Sequence, residues 1–506
     1  MVKNKIDLLV ISPSSRKLYQ KLANNFSAKE PNIWAGLLAN VARQAGYRVN
    51  IYDLEIENPS EKSFLNVLEN LRPRLILIVV TGQNPNASTA AMSGAIEAAD
   101  WLKDHTPENR IAFVGPHMSA LPKETLIRHN SIDFVFTNEG VYTLLDILQT
   151  NFNISDLKKV PGLCFRDEDL NIIMNKPSKI VPQERLDLDL PGIAYDLMPS
   201  FKKYKTSSWH ANYIDSHRSP FASIYTSLGC IFKCDFCMIN IINRTKNSDQ
   251  LASSHFNTFR YWSPDFTIKQ LDFLANSGVK QLKIADEMWV LNPKHFITLC
   301  DLIIERQYDF NIWAYTRIDT IKPKYLDKLK RAGVNWLAPG IEAGNQVVRK
   351  EISKGNFKDV NIREIISMIQ NYDINVGANY IFGLGNDNWD TMQETLNLAI
   401  ELNTENANMY CSTPLPGSPL YLKAKKEGWV MPSEYNEYGF LSYEHIPSRT
   451  KSLTSSEILA FRDYAFHVYF ENPRFLKMIN RKFGQLAVQN IKQMTKIKLK
   501  RKLLEK

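Results

Sequence analysis

The chain reads as an α/β protein made of two successive sets of parallel βα units, the first a doubly wound sheet domain, closed by a helical C-terminal region. Three observations lead there. Short apolar, β-prone runs alternate with amphipathic stretches from Ile6 to about Leu148, and the alternation resumes from Phe221 to about Tyr421. Between them, Lys176 to Pro220 carries Pro177, Pro182, Pro191, Pro199 and Pro220 with little periodicity, as a linker would. At the start of the second set, a strand-like run enters a glycine turn and then Cys230-Ile-Phe-Lys-Cys234-Asp-Phe-Cys237.

Composition fits a globular protein of about three domains: 506 residues, 44% hydrophobic and 23% charged. The longest apolar run, Leu75–Val80, is far too short to span a bilayer. Two lysines and a brief apolar run open the chain, but no cleavage-site pattern follows, so Met1–Val10 reads as a first strand. Of the six cysteines, three are clustered and three (Cys164, Cys300, Cys411) are scattered. That is not a disulfide framework, and a reducing cytoplasm is the expected compartment. Part of the +9 net charge sits in the tail, at Lys492, Lys496, Lys498, Lys500, Arg501, Lys502 and Lys506. It reads as a solvated, partly frayed helix end, with peripheral contact to an anionic membrane as the functional alternative. Aromatic–basic interleaving of the kind that lines a nucleic-acid groove is lacking.

In the first half, Leu8–Ile11, Val49–Tyr52, Leu75–Val80, Ile111–Val114 and Phe134–Phe136 read as buried parallel strands. Helices are expected at Ile33–Ala45, Ser63–Leu71, Ser88–Lys103 and Leu121–His129. Ligands of such a sheet belong at the strand carboxyl ends: Ser12-Pro13-Ser14-Ser15, Thr81-Gly82-Gln83-Asn84, Gly115-Pro116-His117 and Thr137-Asn138-Glu139-Gly140. A G-x-G-x-x-G turn does not follow the first strand, which argues against a dinucleotide. Leu157 to Asn175 reads as a small closing hairpin. In the second half, strands are expected at Ser223–Thr226, Leu282–Ala285, Phe310–Thr316, Trp336–Ile341, Val376–Phe382 and Ala407–Ser412, with Ile268, Leu271 and Leu274 on one face of a helix over Thr267–Asn276. The resulting boundaries are 1–180 for the first α/β domain, 181–220 for an extended linker, 221–425 for the second domain, and 426–506 for an irregular, then helical cap with a basic tail.

Three thiolates at C-x3-C-x2-C suit a soft metal or an iron–sulfur cluster. A structural zinc takes four protein ligands, and His210, His217 and His255 stand at no finger-like spacing. The motif, with Phe236 before its last cysteine, resembles the cluster loop of the radical S-adenosylmethionine (SAM) superfamily. The resemblance implies a partial (β/α)6 barrel and a [4Fe–4S] cluster on Cys230, Cys234 and Cys237. Its fourth iron would chelate SAM, and reduction by a flavodoxin- or ferredoxin-type donor would yield a 5′-deoxyadenosyl radical. Further family-like runs follow. Ala285-Asp286-Glu287-Met288-Trp289 offers Glu287, then Asp286, for the SAM amino group. Tyr315-Thr316-Arg317-Ile318-Asp319 offers Arg317 either for the SAM carboxylate or for an ion pair with Asp319 or Glu342. Pro339-Gly340-Ile341-Glu342, with Ile352-Ser353-Lys354-Gly355 after it, offers Glu342 for the ribose or amino end. Ile381-Phe382-Gly383-Leu384-Gly385 departs from the family's Gly-Leu-Pro.

Val114-Gly115-Pro116-His117, Asp133-Phe134-Val135 and Asn138-Glu139-Gly140 resemble the cobalamin-binding domain that precedes many radical SAM cores. That resemblance implies a corrin at the strand-end loops (Ser12, Thr81, Gly115, His117, Glu139, Gly140), its nucleotide tail running beside the fourth and fifth strands. D-x-H-x-x-G is absent, so a base-off, His-off cobalamin is expected, with His117 shaping the pocket and not ligating cobalt. The function this implies is a cobalamin-dependent radical SAM enzyme, in the first place a methyltransferase acting on an unactivated carbon of a small-molecule or biosynthetic-intermediate substrate. Ring closure or rearrangement without methyl transfer is the alternative within enzymes. A cobalamin-binding sensor with a structural metal is the alternative outside them. A methylthiotransferase would bring additional cluster cysteines, and Cys164 alone precedes Cys230.

Overall fold

The computed structural model describes residues 5–22, 26–82, 84–248, 250–352, 357 and 359–505. Residues 1–4, Gln83, Ser353-Lys354-Gly355 and Lys506, included in the readings above, lie outside the described residues. The first half forms a seven-stranded sheet from β1 (Ile6–Ser12), β2 (Val49–Asp53), β3 (Pro73–Val79), β4 (Arg110–Val114), β5 (Phe134–Phe136), β6 (Leu163–Arg166) and β7 (Ile172–Met174), in the order β2-β1-β3-β4-β5-β6-β7. The first five are parallel, with Leu8 opposite both Val49 and Leu75. The hairpin β6–β7 is antiparallel and extends the sheet beyond β5.

Both faces are buried, which explains the unbroken apolar runs. Leu8, Val10, Leu75 and Leu77 enter one core; Leu9, Ile11, Ile76 and Ile78 enter the other. The first core is continuous with that of the second half. Strand order reverses between β1 and β3, and such a switch point opens a crevice at the carboxyl ends of its two strands.

The second half holds β8 (Phe221–Ile224), a two-residue ladder of β9 (Ser227–Leu228) with β10 (Arg260–Tyr261), then β11 (Gln281–Ile284), β12 (Asn311–Arg317), β13 (Val334–Glu342), β14 (Asn375–Phe382) and β15 (Asn406–Cys411). Six of these make one all-parallel sheet, ordered β15-β14-β13-β12-β11-β8. The helix between β10 and β11 starts at Pro264, capped by Ser263 accepting from Phe266 N, and buries Thr267, Ile268, Leu271 and Leu274.

The linker is more ordered than its prolines suggest. It makes short helical turns at Gln183–Arg185, Leu186–Asp189 and Tyr195–Leu197, and buries Leu186, Leu190, Ile193 and Tyr195. Its backbone is gripped from both sides, by Asn40 Nδ2 at Pro191 O (2.9 Å) and by Trp262 Nε1 at Leu190 O (2.8 Å).

The C-terminal region packs three helices, Ser455–Phe470, Pro473–Phe483 and Gln485–Thr495. The basic tail then departs from the frayed helix expected of it. Arg501 is buried, paired with Asp463 at 2.9 Å and donating to Ser442 O at 2.8 Å, while Lys500 N donates to Gln20 Oε1 at 3.2 Å. These contacts make the tail a strap laid back across the molecule. Among the described residues, no helix is long and apolar enough to cross a membrane.

Candidate functional site

Asp286, at the end of β11, fixes the entry to the cysteine loop. It is fully buried and accepts from Thr226 N, Thr226 Oγ1 and Ser227 Oγ, each at 2.6 Å. Burial still raises its carboxyl to about 6. Gly229 then turns the chain at φ 87°, where a Cβ would lie 2.2 Å from Thr258 O, so only glycine fits. Asn240 grips Cys230 from both backbone sides, accepting from its N at 3.3 Å and donating to its O at 2.7 Å. Asp235 N donates to Ile352 O (2.9 Å) and Asp235 O accepts from Leu420 N (2.9 Å), which ties the loop to the helices that follow β13 and β15.

The three thiols are free and partly exposed. Burial pushes Cys230 up to about 12, Cys237 up to about 11, and Cys234 well above the usual thiol range. A bound cation reverses that logic, because a coordinating thiol is deprotonated outright. Among the described residues, no three His, Cys, Asp or Glu side chains converge on one metal ion. The trio on its single short loop fits a multi-iron cluster, in which each thiolate takes a different iron and one iron stays open.

Around this loop the structure gathers several of the expected SAM residues. Phe236 packs against a cluster of Ala343, Val348, Ile352, Ile381 and Leu384. The charges of Glu287 and Glu342 are both felt at Cys237, and that of Arg317 at Cys230 and Cys234. Glu287 Oε2 is buried with no hydrogen-bond partner, and burial raises this carboxyl to about 8. Glu342 sits at φ 65°, at a register break between β13 and β14, and burial raises it to about 7 against the opposing pull of Arg317. A non-glycine residue held there costs of order 1–2 kcal/mol. Two buried carboxylates beside the thiols, one with an oxygen left unbonded, suit a cation with hydroxyl or ammonium donors, which fits SAM. Arg317 is committed elsewhere: it clamps Asp319 through two 2.6 Å bonds and lies 3.3 Å from the centre of the Phe232 ring. Asp286 is likewise occupied by the loop it holds.

A cavity of about 870 Å³ lies between the strand ends of the two sheets. Ser12, Glu55 and Gly82 face it from β1, β2 and β3; Tyr315 and Tyr410 face it from β12 and β15, and the C-terminal strap walls it on another side. Asn86 lines it and also reaches the cysteine loop, donating to Cys237 Sγ at 3.8 Å and accepting from Met238 N at 3.0 Å. Sequence reading missed Asn86; its one signal was Asn84-Pro85-Asn86 at a strand-end helix start.

Of the residues expected at the corrin, Ser12 lines the cavity, while Thr81 stands beside it with Oγ1 on Asn32 Oδ1 at 3.2 Å. Gly115, His117, Glu139 and Gly140 lie away from it. His117 is buried, bonded through Nδ1 to Thr89 Oγ1 (3.1 Å) and edge-on to Tyr435, and burial drives it down to about 3. Glu139 forms a buried ion pair with Arg260 and accepts from Val181 N at 3.0 Å. A Cβ on Gly115 would fall 2.2 Å from Val80 O.

Comparison with known proteins agrees with this layout. Residues 19–148 match the B12 binding domain, and residues 224–399 match the radical SAM superfamily. The chain thus carries a B12 binding domain followed by a radical SAM domain, the pairing of a cobalamin-dependent radical SAM enzyme, and these domains imply a [4Fe–4S] cluster, SAM and cobalamin as cofactors. Among its relatives, an uncharacterised methyltransferase of Pyrococcus horikoshii is 22% identical over 93% of both chains. An anaerobic magnesium-protoporphyrin IX monomethyl ester cyclase of Cereibacter sphaeroides is 25% identical over 85% of this chain and 65% of its own length. The fold is also that of the radical SAM methyltransferase TsrM from Kitasatospora setae, solved with cobalamin and a [4Fe–4S] cluster: TM-score 0.68, 13% identity, covering 98% of this chain and 99% of that one.

Proposed function

We propose that this enzyme transfers a methyl group to an unactivated carbon of a small-molecule or biosynthetic-intermediate substrate. The observation that carries the reading is the shared cavity, which the strand ends of both sheets face and which Asn86 joins to the cysteine loop. When bound, the cluster and SAM supply a 5′-deoxyadenosyl radical for hydrogen abstraction, and cobalamin supplies a transferable methyl group. The chain's own residues bind, orient and shield. Cys230, Cys234 and Cys237 hold the cluster on a loop that Asp286 and Asn240 fix in place. Glu287 and Glu342 hold the ammonium and ribose hydroxyls of SAM, and Phe236 packs beneath. Trp313, Tyr315 and Tyr410 line the cavity with rings that exclude water from a reactive radical. Hydrogen abstraction needs no general base, and none is assigned. An external flavodoxin- or ferredoxin-type protein supplies the electron.

The methyltransferase relative supports this reading; the cyclase relative supports ring closure without methyl transfer. The test is an anaerobic incubation of reduced, cluster-reconstituted protein with cobalamin and methyl-labelled SAM. Methyl transfer predicts S-adenosylhomocysteine with label on the corrinoid, and 5′-deoxyadenosine besides. 5′-Deoxyadenosine alone points to ring closure or rearrangement. Neither product, with zinc bound in place of iron, points to a sensor module.

A further inference from the structure

The first sheet offers two sides on which a corrinoid could rest, and the chain itself closes one of them. Beside the ends of β4 and β5, the segment following the cysteine loop lies across the sheet. Arg244, 1% exposed, donates from Nη1 to Ser119 O at 2.6 Å, and its backbone N and O bond the Asn138 side chain at 3.1 and 2.9 Å. Asn138 Nδ2 also donates to Ser178 O at 2.7 Å, and its backbone N to Ser119 Oγ at 2.8 Å. Polar groups at both strand ends are therefore satisfied by protein, not left for a ligand. Apolar packing completes the seal: Ile241, Met238, Leu251 and Leu415 pack with Ala120. Nearby, a Cβ on Gly417 would lie 3.1 Å from that of Ala120. Among the described residues of this sheet domain, the cavity is lined from the ends of β1, β2 and β3 and the segments that follow them, at the switch point of the strand order.

We infer that this enzyme binds its corrinoid through the macrocycle at the ends of β1 and β3, and that the nucleotide tail is not held beside β4 and β5. The ligand class is a corrinoid of any lower base, or of none. Opening the closed side would break the three hydrogen bonds that Arg244 makes to Asn138 and Ser119 and expose buried apolar surface, so a tail gains little by entering. The inference rests on cobalamin being the cofactor.

The test compares two ligands on the cluster-reconstituted full chain by visible titration: hydroxocobalamin, and diaquocobinamide, which lacks the nucleotide. The expected result is dissociation constants within threefold of each other. Cobinamide binding more than tenfold more weakly than cobalamin overturns the inference and leaves the cofactor reading intact. Failure of both ligands overturns the cofactor reading and the inference with it. Hydrogen exchange on the cobalamin complex gives a second reading. Protection confined to residues 12–15 and 84–90 supports the inference. Protection at 117–121 and 138–140, or loss of protection at 239–246, shows the tail displacing the segment and overturns it.

Discussion

The ion pair between Glu139 and Arg260 joins the first sheet to the strand that borders the cysteine loop, and breaking it gives a quantitative test of the fold. The side chains are 1% and 6% exposed, Glu139 Oε2 also accepts from Val181 N, and Arg260 Nη1 also donates to Val181 O. Each charge is thus buried with the other as its counter-ion. Removing one partner of such a pair costs about 3–5 kcal/mol, because the remaining charge is stranded. The two single variants differ in what they strand. A carboxylate can shed its charge by taking up a proton, whereas a guanidinium cannot, so Glu139→Gln falls at the upper end and Arg260→Met at the lower. The double variant removes both charges and strands neither, so it is expected to cost clearly less than the sum of the two single variants. Urea unfolding followed by tryptophan fluorescence measures all four proteins as a double-mutant cycle. Single variants costing below about 1 kcal/mol each, or a double variant equal to their sum, would refute the reasoning.

Three further outcomes are expected. Asp286→Ala strands three donors at the mouth of the cysteine loop; it lowers iron incorporation several-fold and destabilises by about 3 kcal/mol, whereas Asp286→Asn retains more of both, as iron assay and urea midpoint would show. Glu342→Gly removes a side chain held at φ 65°, so stability stays equal or rises by up to about 1 kcal/mol while SAM affinity falls at least tenfold by equilibrium binding. His210 is buried and neutral, bonded to Thr206 Oγ1 and Asn311 O, with burial driving it down to about 3. The unfolded chain protonates this group below about 6.5 and the folded chain does not, so its contribution to stability is present above that pH and lost as pH falls. Buried carboxylates such as Asp387, raised by burial to about 6, act in the opposite sense and mask this in the wild-type profile alone. The deficit of His210→Gln relative to wild type should therefore shrink by about 2 kcal/mol between pH 7 and pH 5; a deficit independent of pH contradicts the assignment.

The strands were legible because parallel strands buried on both faces leave unbroken apolar runs, and each expected strand of the two sheets lies within a few residues of its place. The first strand of the second sheet ends earlier than expected, at Ile224, because Thr226 gives its N–H to Asp286 instead of to the ladder. The spacing of the cysteines singled out their loop and the glycine-rich run singled out Glu342, and the structure sets the two near each other. What was not legible depends on pairs remote in sequence. Glu139 meets Arg260 across 121 positions, and Asn138 meets Arg244 across 106. Nothing local to Glu139 or His117 distinguishes a ligand contact from a buried structural bond. The tail misled for the same reason, since its fold depends on Asp463 and Gln20, both far away in the chain.

The central claim is that Cys230, Cys234 and Cys237 present a cluster to SAM on a loop that Asn86 joins to the cavity between the two sheets. The most direct measurement quantifies 5′-deoxyadenosine from dithionite-reduced, iron-reconstituted protein incubated with SAM, alongside the three single Cys→Ala variants. The account predicts about four irons per chain, a product yield that rises with time in the wild type, and loss of product in every variant. Wild-type protein that holds four irons yet leaves SAM intact would contradict it.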